Sequence, residues 1–191
     1  ARTGDPLWRV SLFRAGINAT VLVHGGNKVI AIYGTPYELG QMVALKMPAV
    51  LPTNAAAGPV VLERKQLELW ADDISSSTSC PILVGDTLYV SSSFGPKNTF
   101  AVNAKTGEVK WTYQPDVPKG IDQYACCDVN NRGVAHADGK IFIGRLDAHV
   151  VALDAKIVLD GKAAYRHASH FALLREEQQG LVCVGRTRAE H

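Results

Sequence analysis

An all-β chain of four-stranded antiparallel sheets, set as blades of a partial β-propeller, is what this sequence predicts. Three observations predict it. A template of short β-branched and aromatic runs, broken by Gly-containing turns, occurs three times. Each copy carries a matching phrase: Val43-Ala44-Leu45, Ala101-Val102-Asn103 and Val151-Ala152-Leu153-Asp154. Tryptophan recurs between copies, at Trp8, Trp70 and Trp111. A period of about 40 residues with four short strands is the signature of a propeller blade. The longer step from Trp8 to Trp70 holds a Pro/Ala-rich insert, Pro48 to Pro59.

The composition suits such a chain. It has 191 residues, 47% hydrophobic and 20% charged, with a formal net charge of +2. That is long enough for a sizeable core. Ample Val, Ile and Leu with little net charge exclude a disordered chain. The mild charge and lack of a basic run argue against nucleic-acid binding. No apolar run approaches the roughly 20 residues of a membrane helix. The chain opens Ala1-Arg2-Thr3-Gly4, without an initiator Met or an apolar leader. This is expected of a processed chain or a piece of a longer one.

In chain order, the first copy is Asn18 to Met47, with Gly25-Gly26-Asn27 at its hairpin turn. The clearest copy is Pro81 to Trp111. It predicts a strand from Ile82 to Val84, a Gly85-Asp86 turn, and a strand from Leu88 to Ser92. After a loop come a strand from Thr99 to Asn103, a Lys105-Thr106-Gly107 turn, and a strand ending at Trp111. Gly107 allows a turn with positive φ. Trp111 offers a large flat surface to the next blade. The last copy is Gly133 to Lys156, turning at Asp138-Gly139. A sheet of this size cannot bury both faces alone, so blades stack around an axis. Residues 1–165 are thus expected to form about three to four blades of an incomplete ring. Residues 166–191 form a tail, in which Ser169 caps a short helix ended by Gly180.

Little else carries chemistry. Neither GxGxxG, a P-loop nor GxSxG occurs. Cys80 and Cys183 read as small buried residues. His167 and His170 form an HxxH without a third close ligand. Glu176-Glu177 reads as a solvated helix face, and Asn18-Ala19-Thr20 matches a glycosylation triplet. Adjacent Cys126-Cys127 is the strongest functional signal. By itself the pair reads as two buried thiols or as a disulfide stiffening a loop. Arg132 alone reads as a turn arginine before Gly133.

Longer stretches carry a family resemblance. AVNAKTGEVKW, Ala101 to Trp111, resembles the tryptophan-docking motif of quinoprotein dehydrogenases, in which Ala101, Gly107 and Trp111 are the structural docking positions. ARTGDPLW, Ala1 to Trp8, looks like the second half of another copy. Val151 to Lys156 looks like the first half of a third, broken off at Ile157-Val158. More specific is YACCDVNNRGVAHADGKIFIGRLDAHVVALDAK, Tyr124 to Lys156. It resembles the segment of pyrroloquinoline quinone (PQQ) dependent methanol and alcohol dehydrogenases that holds an adjacent-cysteine disulfide. The match extends back to Pro81. Residues 1–75 match only the general PQQ-like repeat, which non-catalytic outer-membrane assembly lipoproteins share.

The resemblance implies a propeller, usually of eight blades, in the periplasm. It implies oxidation of a primary alcohol by PQQ beside Ca²⁺ or a lanthanide, with electrons passing to a cytochrome. By position, Cys126 and Cys127 form the ring disulfide on one face of PQQ, and Arg132 hydrogen-bonds the quinone oxygens. The strained ring of a vicinal disulfide is flat and rigid, suited to a planar cofactor. An always-charged Arg suits developing negative charge on a reduced quinone. A lasting disulfide implies an oxidising compartment, periplasmic or secreted. The family's metal-binding Glu and Asn, its catalytic Asp and its stacking Trp belong to later blades, and no segment here matches them. Ring closure therefore calls for further blades or self-association. The alternative is a non-catalytic repeat protein that holds protein partners on blade surfaces or strand edges.

Overall fold

The computed structural model describes residues 6–35, 38–49, 58–92, 98–115, 120 and 132–156. Among these, thirteen strands and one helix of a single turn are present. The chain is all-β, built of antiparallel blades. The first blade orders β2 (Leu22–His24), β3 (Lys28–Ile32), β4 (Met42–Lys46) and β6 (Glu68–Asp72). The second orders β7 (Ile82–Val84), β8 (Thr87–Ser91), β9 (Thr99–Asn103) and β10 (Val109–Tyr113). The third has three strands among the described residues, β11 (Val134–Ala137), β12 (Lys140–Gly144) and β13 (Val150–Asp154). The strand that starts each blade adjoins its neighbour's: β2 touches β7, and β7 touches β11.

Burial explains the sequence pattern. The second blade is covered on both faces. Leu88, Val90 and Val102 pack against Ile30, Ile32, Met42 and Ala44 of the first blade. Tyr89, Ala101 and Trp111 pack against Ile141 and Ile143 of the third. With both faces dry, β8 reads Leu-Tyr-Val-Ser without polar alternation. In the third blade one face is covered among the described residues, and β12 alternates: Ile141 and Ile143 are buried while Lys140 and Gly144 are exposed.

One hydrogen bond recurs in all three hairpins. The residue after the third strand donates to a turn carbonyl: Met47 to Asn27 at 2.7 Å, Ala104 to Asp86 at 3.0 Å, Ala155 to Gly139 at 2.9 Å. A bulge also recurs. The outer strand slips register just before its tryptophan, ahead of Trp70 opposite Ala44 and ahead of Trp111 opposite Ala101. The extra residue twists the strand and aims each indole at the following blade.

The chain on either side of the Pro48–Pro59 insert holds structure that repeat counting does not reach. β1 (Trp8–Val10) pairs with β5 (Val60–Leu62), and the pairing is parallel. The short helix α1 (Arg64–Leu67) follows. Val10, Leu12, Phe13 and Leu67 cover the outer face of the first blade over Ala31, Tyr33, Val43 and Leu45. Arg64 pins α1, donating to Tyr33 Oη at 2.8 Å, Gln41 Oε1 at 2.9 Å and Glu68 Oε2 at 2.6 Å. Burial pushes the Tyr33 hydroxyl pKa up, against the lowering pull of Arg64. No described helix is long and apolar enough to cross a membrane.

Candidate functional site

The three blades meet where their first strands begin. Thr20 lies two residues ahead of β2, Cys80 two ahead of β7, and Arg132 two ahead of β11. Cys80 joins the other two. Its N–H donates to Arg132 O at 3.1 Å, and it forms a parallel bridge with Gly133. Its Sγ accepts from Thr20 Oγ1 at 3.3 Å. That hydrogen bond holds the Cys80 thiol pKa below its ordinary value.

Gly133 is required at this junction. Its φ is +137°, and a Cβ there would fall 2.7 Å from the Cys80 carbonyl oxygen. Only glycine lets the two backbones approach so closely. Arg132 is therefore tied down by its main chain, while its side chain reaches the exposed surface.

Cys80 ends a polar strap, Ser75-Ser76-Ser77-Thr78-Ser79, running from the first blade to the second. Ser75, Ser76 and Ser79 are each 1% exposed. Most of its polar groups bond within the protein. Gly40 N donates to Ser75 Oγ at 2.9 Å, Ser75 Oγ donates to Tyr33 O, and Ser79 N donates to Ser76 Oγ at 2.9 Å. Ser92 Oγ holds Ser75 O at 2.8 Å. Two groups differ. The hydroxyls of Thr78 and Ser79 are buried without a hydrogen-bond partner among the described residues. An orphaned buried hydroxyl costs about 1–3 kcal/mol and calls for an explanation.

Cys126 and Cys127 lie outside the described residues, as do Cys183, His167, His170 and the 166–191 tail. Ala101 is fully buried, opposite Tyr89 on one side and Trp111 on the other. The two rings sit 5.9 Å apart. Gly107 has φ +81° and lies against Trp70 of the first blade. Cys80 is half-buried and bonded, not the enclosed small residue its sequence suggests. Thr20 was singled out only as the end of a glycosylation triplet, and the serine strap carries no motif. The strap's one signal in the sequence is five consecutive hydroxyl residues between β6 and β7. Among the described residues no three His, Cys, Asp or Glu side chains converge as a metal site.

Residues 63–167 match the family model described as "PQQ: Glucose/ethanol/alcohol dehydrogenase, beta-propeller domain". A 1-butanol dehydrogenase (cytochrome c) of Thauera butanivorans is 42% identical over 96 residues, covering 48% of this chain and 14% of that protein. A lanthanide-dependent methanol dehydrogenase of Methylacidiphilum fumariolicum is 44% identical over 77 residues, covering 39% of this chain and 12% of that protein. A solved europium-containing methanol dehydrogenase aligns at 44% identity with a TM-score of 0.36, over 39% of this chain and 13% of that one. The chain thus spans about a seventh or less of the length of these relatives.

Proposed function

The chain belongs to the PQQ glucose/ethanol/alcohol dehydrogenase β-propeller family, and on that premise we propose that it supplies one wall of a quinone site that oxidises a primary alcohol. The observation that carries this reading is Arg132, main-chain anchored where three blades meet, five residues beyond Cys127.

The described residues suit a planar anionic quinone. The exposed Arg132 guanidinium offers a fork of donors. The strap that Cys80 ties to Arg132 holds two hydroxyls with no partner among the described residues, Thr78 Oγ1 and Ser79 Oγ. PQQ, when bound, supplies the redox chemistry itself. The part of this chain is to bind and orient. Arg132 holds the quinone edge and stabilises negative charge there. The Cys126–Cys127 disulfide offers a rigid face. The described residues do not fit Ca²⁺ or a lanthanide, so no step is assigned to a metal here. Residues 1–165 form the propeller part and 166–191 a separate tail. An alcohol and a cytochrome acceptor are the partners this reading assigns, and an oxidising, periplasmic compartment suits the cysteine pair.

Titration of the intact protein with PQQ, followed by tryptophan fluorescence, tests the reading. Saturable binding is expected, weakened at least tenfold by Arg132→Ala and by Cys126→Ser. Absence of saturable binding, or an unchanged affinity in Arg132→Ala, would overturn it.

A second reading draws on the third blade. It has three strands among the described residues, with β13 at its edge and Val150 54% exposed there. An unpaired edge can take up a strand from a partner, as in a protein-binding scaffold. Alcohol-dependent dye reduction by the purified protein would reject a scaffold-only role.

A further inference from the structure

Exposed Arg132 is joined through its main chain to the residue that ends the buried serine strap. Its carbonyl takes the Cys80 N–H at 3.1 Å. Cys80 closes the strap that Ser75 fastens to the first blade, and a bond from Ser79 N to Ser76 Oγ turns the strap on itself. Ser92 fastens the same strap to the second blade. Arg132 itself opens the third. The position of this arginine is thus set by all three blades through a single main-chain junction.

We propose that Gly133 and Cys80 are positioning residues for Arg132, setting where its guanidinium meets the quinone; this rests on the reading of Arg132 given above. The junction is steric as well as hydrogen-bonded. A Cβ on residue 133 would be 2.7 Å from Cys80 O and 3.5 Å from Cys80 N. The first value is closer than real Cβ contacts come, and backbone cannot swing away as a side chain can. The φ of +137° at Gly133 is also strained for any L side chain. A methyl at 133 therefore has to displace the Arg132–Gly133 segment from Cys80. Displacements near 1 Å cost oriented contacts heavily, since bidentate hydrogen bonds fade steeply with geometry. The Cys80 side chain has no such role. Its N–H does the holding, so serine at 80 keeps the junction.

The experiment compares the wild type with Arg132→Ala, Gly133→Ala and Cys80→Ser, using the intact protein and PQQ. Gly133→Ala is expected to weaken PQQ binding at least tenfold and to shift the absorption band of bound quinone in the same direction as Arg132→Ala. Cys80→Ser is expected to bind within twofold of wild type. Should Gly133→Ala fail to fold, amide hydrogen exchange of the wild type decides. Saturating PQQ should slow exchange of the Cys80 amide at least fivefold, because fixing Arg132 stiffens the bond its carbonyl accepts. Weakened binding in Arg132→Ala with normal binding in Gly133→Ala overturns the positioning role, as does unchanged Cys80 exchange. Normal binding in Arg132→Ala overturns instead the quinone role of Arg132.

Discussion

Trp70 of the first blade rests on Gly107 of the second so closely that a Cβ at 107 would lie 2.9 Å from both Cδ2 and Cε3 of the indole. The indole N–H also donates to Ala104 O at 3.3 Å, in the same turn. One residue thus reads the shape and the polarity of the neighbouring turn. Gly107→Ala meets two penalties. A non-Gly residue at φ +81° costs about 1–2 kcal/mol, and the methyl has to push the indole aside. A loss of about 2–3 kcal/mol is expected, read as a lower urea midpoint at unchanged slope. A change below about 0.5 kcal/mol would show that the ring yields freely.

The junction of the second and third blades repeats this geometry with one substitution of partners. Ala155 occupies the place of Ala104, as their shared turn hydrogen bonds show. Its carbonyl, however, accepts from Tyr89 Oη at 3.0 Å, and the Trp111 N–H is buried without a partner among the described residues. Burial raises the Tyr89 pKa, so the hydroxyl stays a donor. Removing a satisfied N–H costs more than removing an orphaned one. Trp111→Phe should therefore cost less than Trp70→Phe, by about 1 kcal/mol, although Trp111 is the more buried of the two. Equal losses in urea denaturation would refute the contrast.

The blades were legible because their cause is local. Leu88-Tyr89-Val90 and Ala101-Val102 are apolar on both faces, and Gly85-Asp86 and Asp138-Gly139 fix tight turns between them. The parallel β1–β5 pair was not legible. Val60-Val61-Leu62 is too short to announce a partner some fifty residues away, and parallel pairing has no turn to mark it. The junction at Cys80 was illegible for a different reason. Its bonds to Thr20 and Arg132 depend on three blade starts converging, which no spacing within the chain encodes. Arg132 was reached only through the residues around it, Asn131-Arg132-Gly133 after the cysteine pair.

One strained residue offers a gain in stability. Ala148, in the turn between β12 and β13, has φ +61°. The turn closes through Arg145 N to His149 O at 2.7 Å, so the conformation is imposed. Alanine there costs about 1–2 kcal/mol, and glycine adds back about 0.5–1 kcal/mol of chain entropy. Ala148→Gly should raise stability by about 0.5–1 kcal/mol. Thermal denaturation at neutral pH checks the sign.

Asp86 links the first two blades through charge. It receives Lys105 Nζ at 2.5 Å and His24 Nε2 at 2.8 Å. The Lys105 hydrogen bond first, and the His24 bond second, hold its carboxyl pKa below the usual range. A carboxylate held low stabilises the fold above its unfolded pKa of about 4, and that support is lost as pH falls through the folded value. Asp86→Asn should therefore melt lower than wild type at pH 7, with the gap closing towards pH 2. Because the pair is solvent-exposed, 1 M salt should narrow the gap as well. A gap independent of pH would assign the effect to packing.

The Cys80 thiol reports on the junction from the other side. Thr20 Oγ1 donates to its sulfur, stabilising the thiolate over the thiol. Since the thiolate is the nucleophile, alkylation of Cys80 should rise with pH along a curve centred below the ordinary thiol value of about 8.5. Thr20→Val removes the donor at nearly constant volume. It should move that curve upward and slow alkylation at pH 7, because less of the sulfur is then thiolate. Thr20→Ser restores the hydroxyl and should restore the rate. Digestion and mass spectrometry of the Cys80 peptide separates its labelling from that of other cysteines. An unchanged curve in Thr20→Val would mean that water replaces the threonine without loss, and that the first blade exerts no hold on Cys80 through this bond.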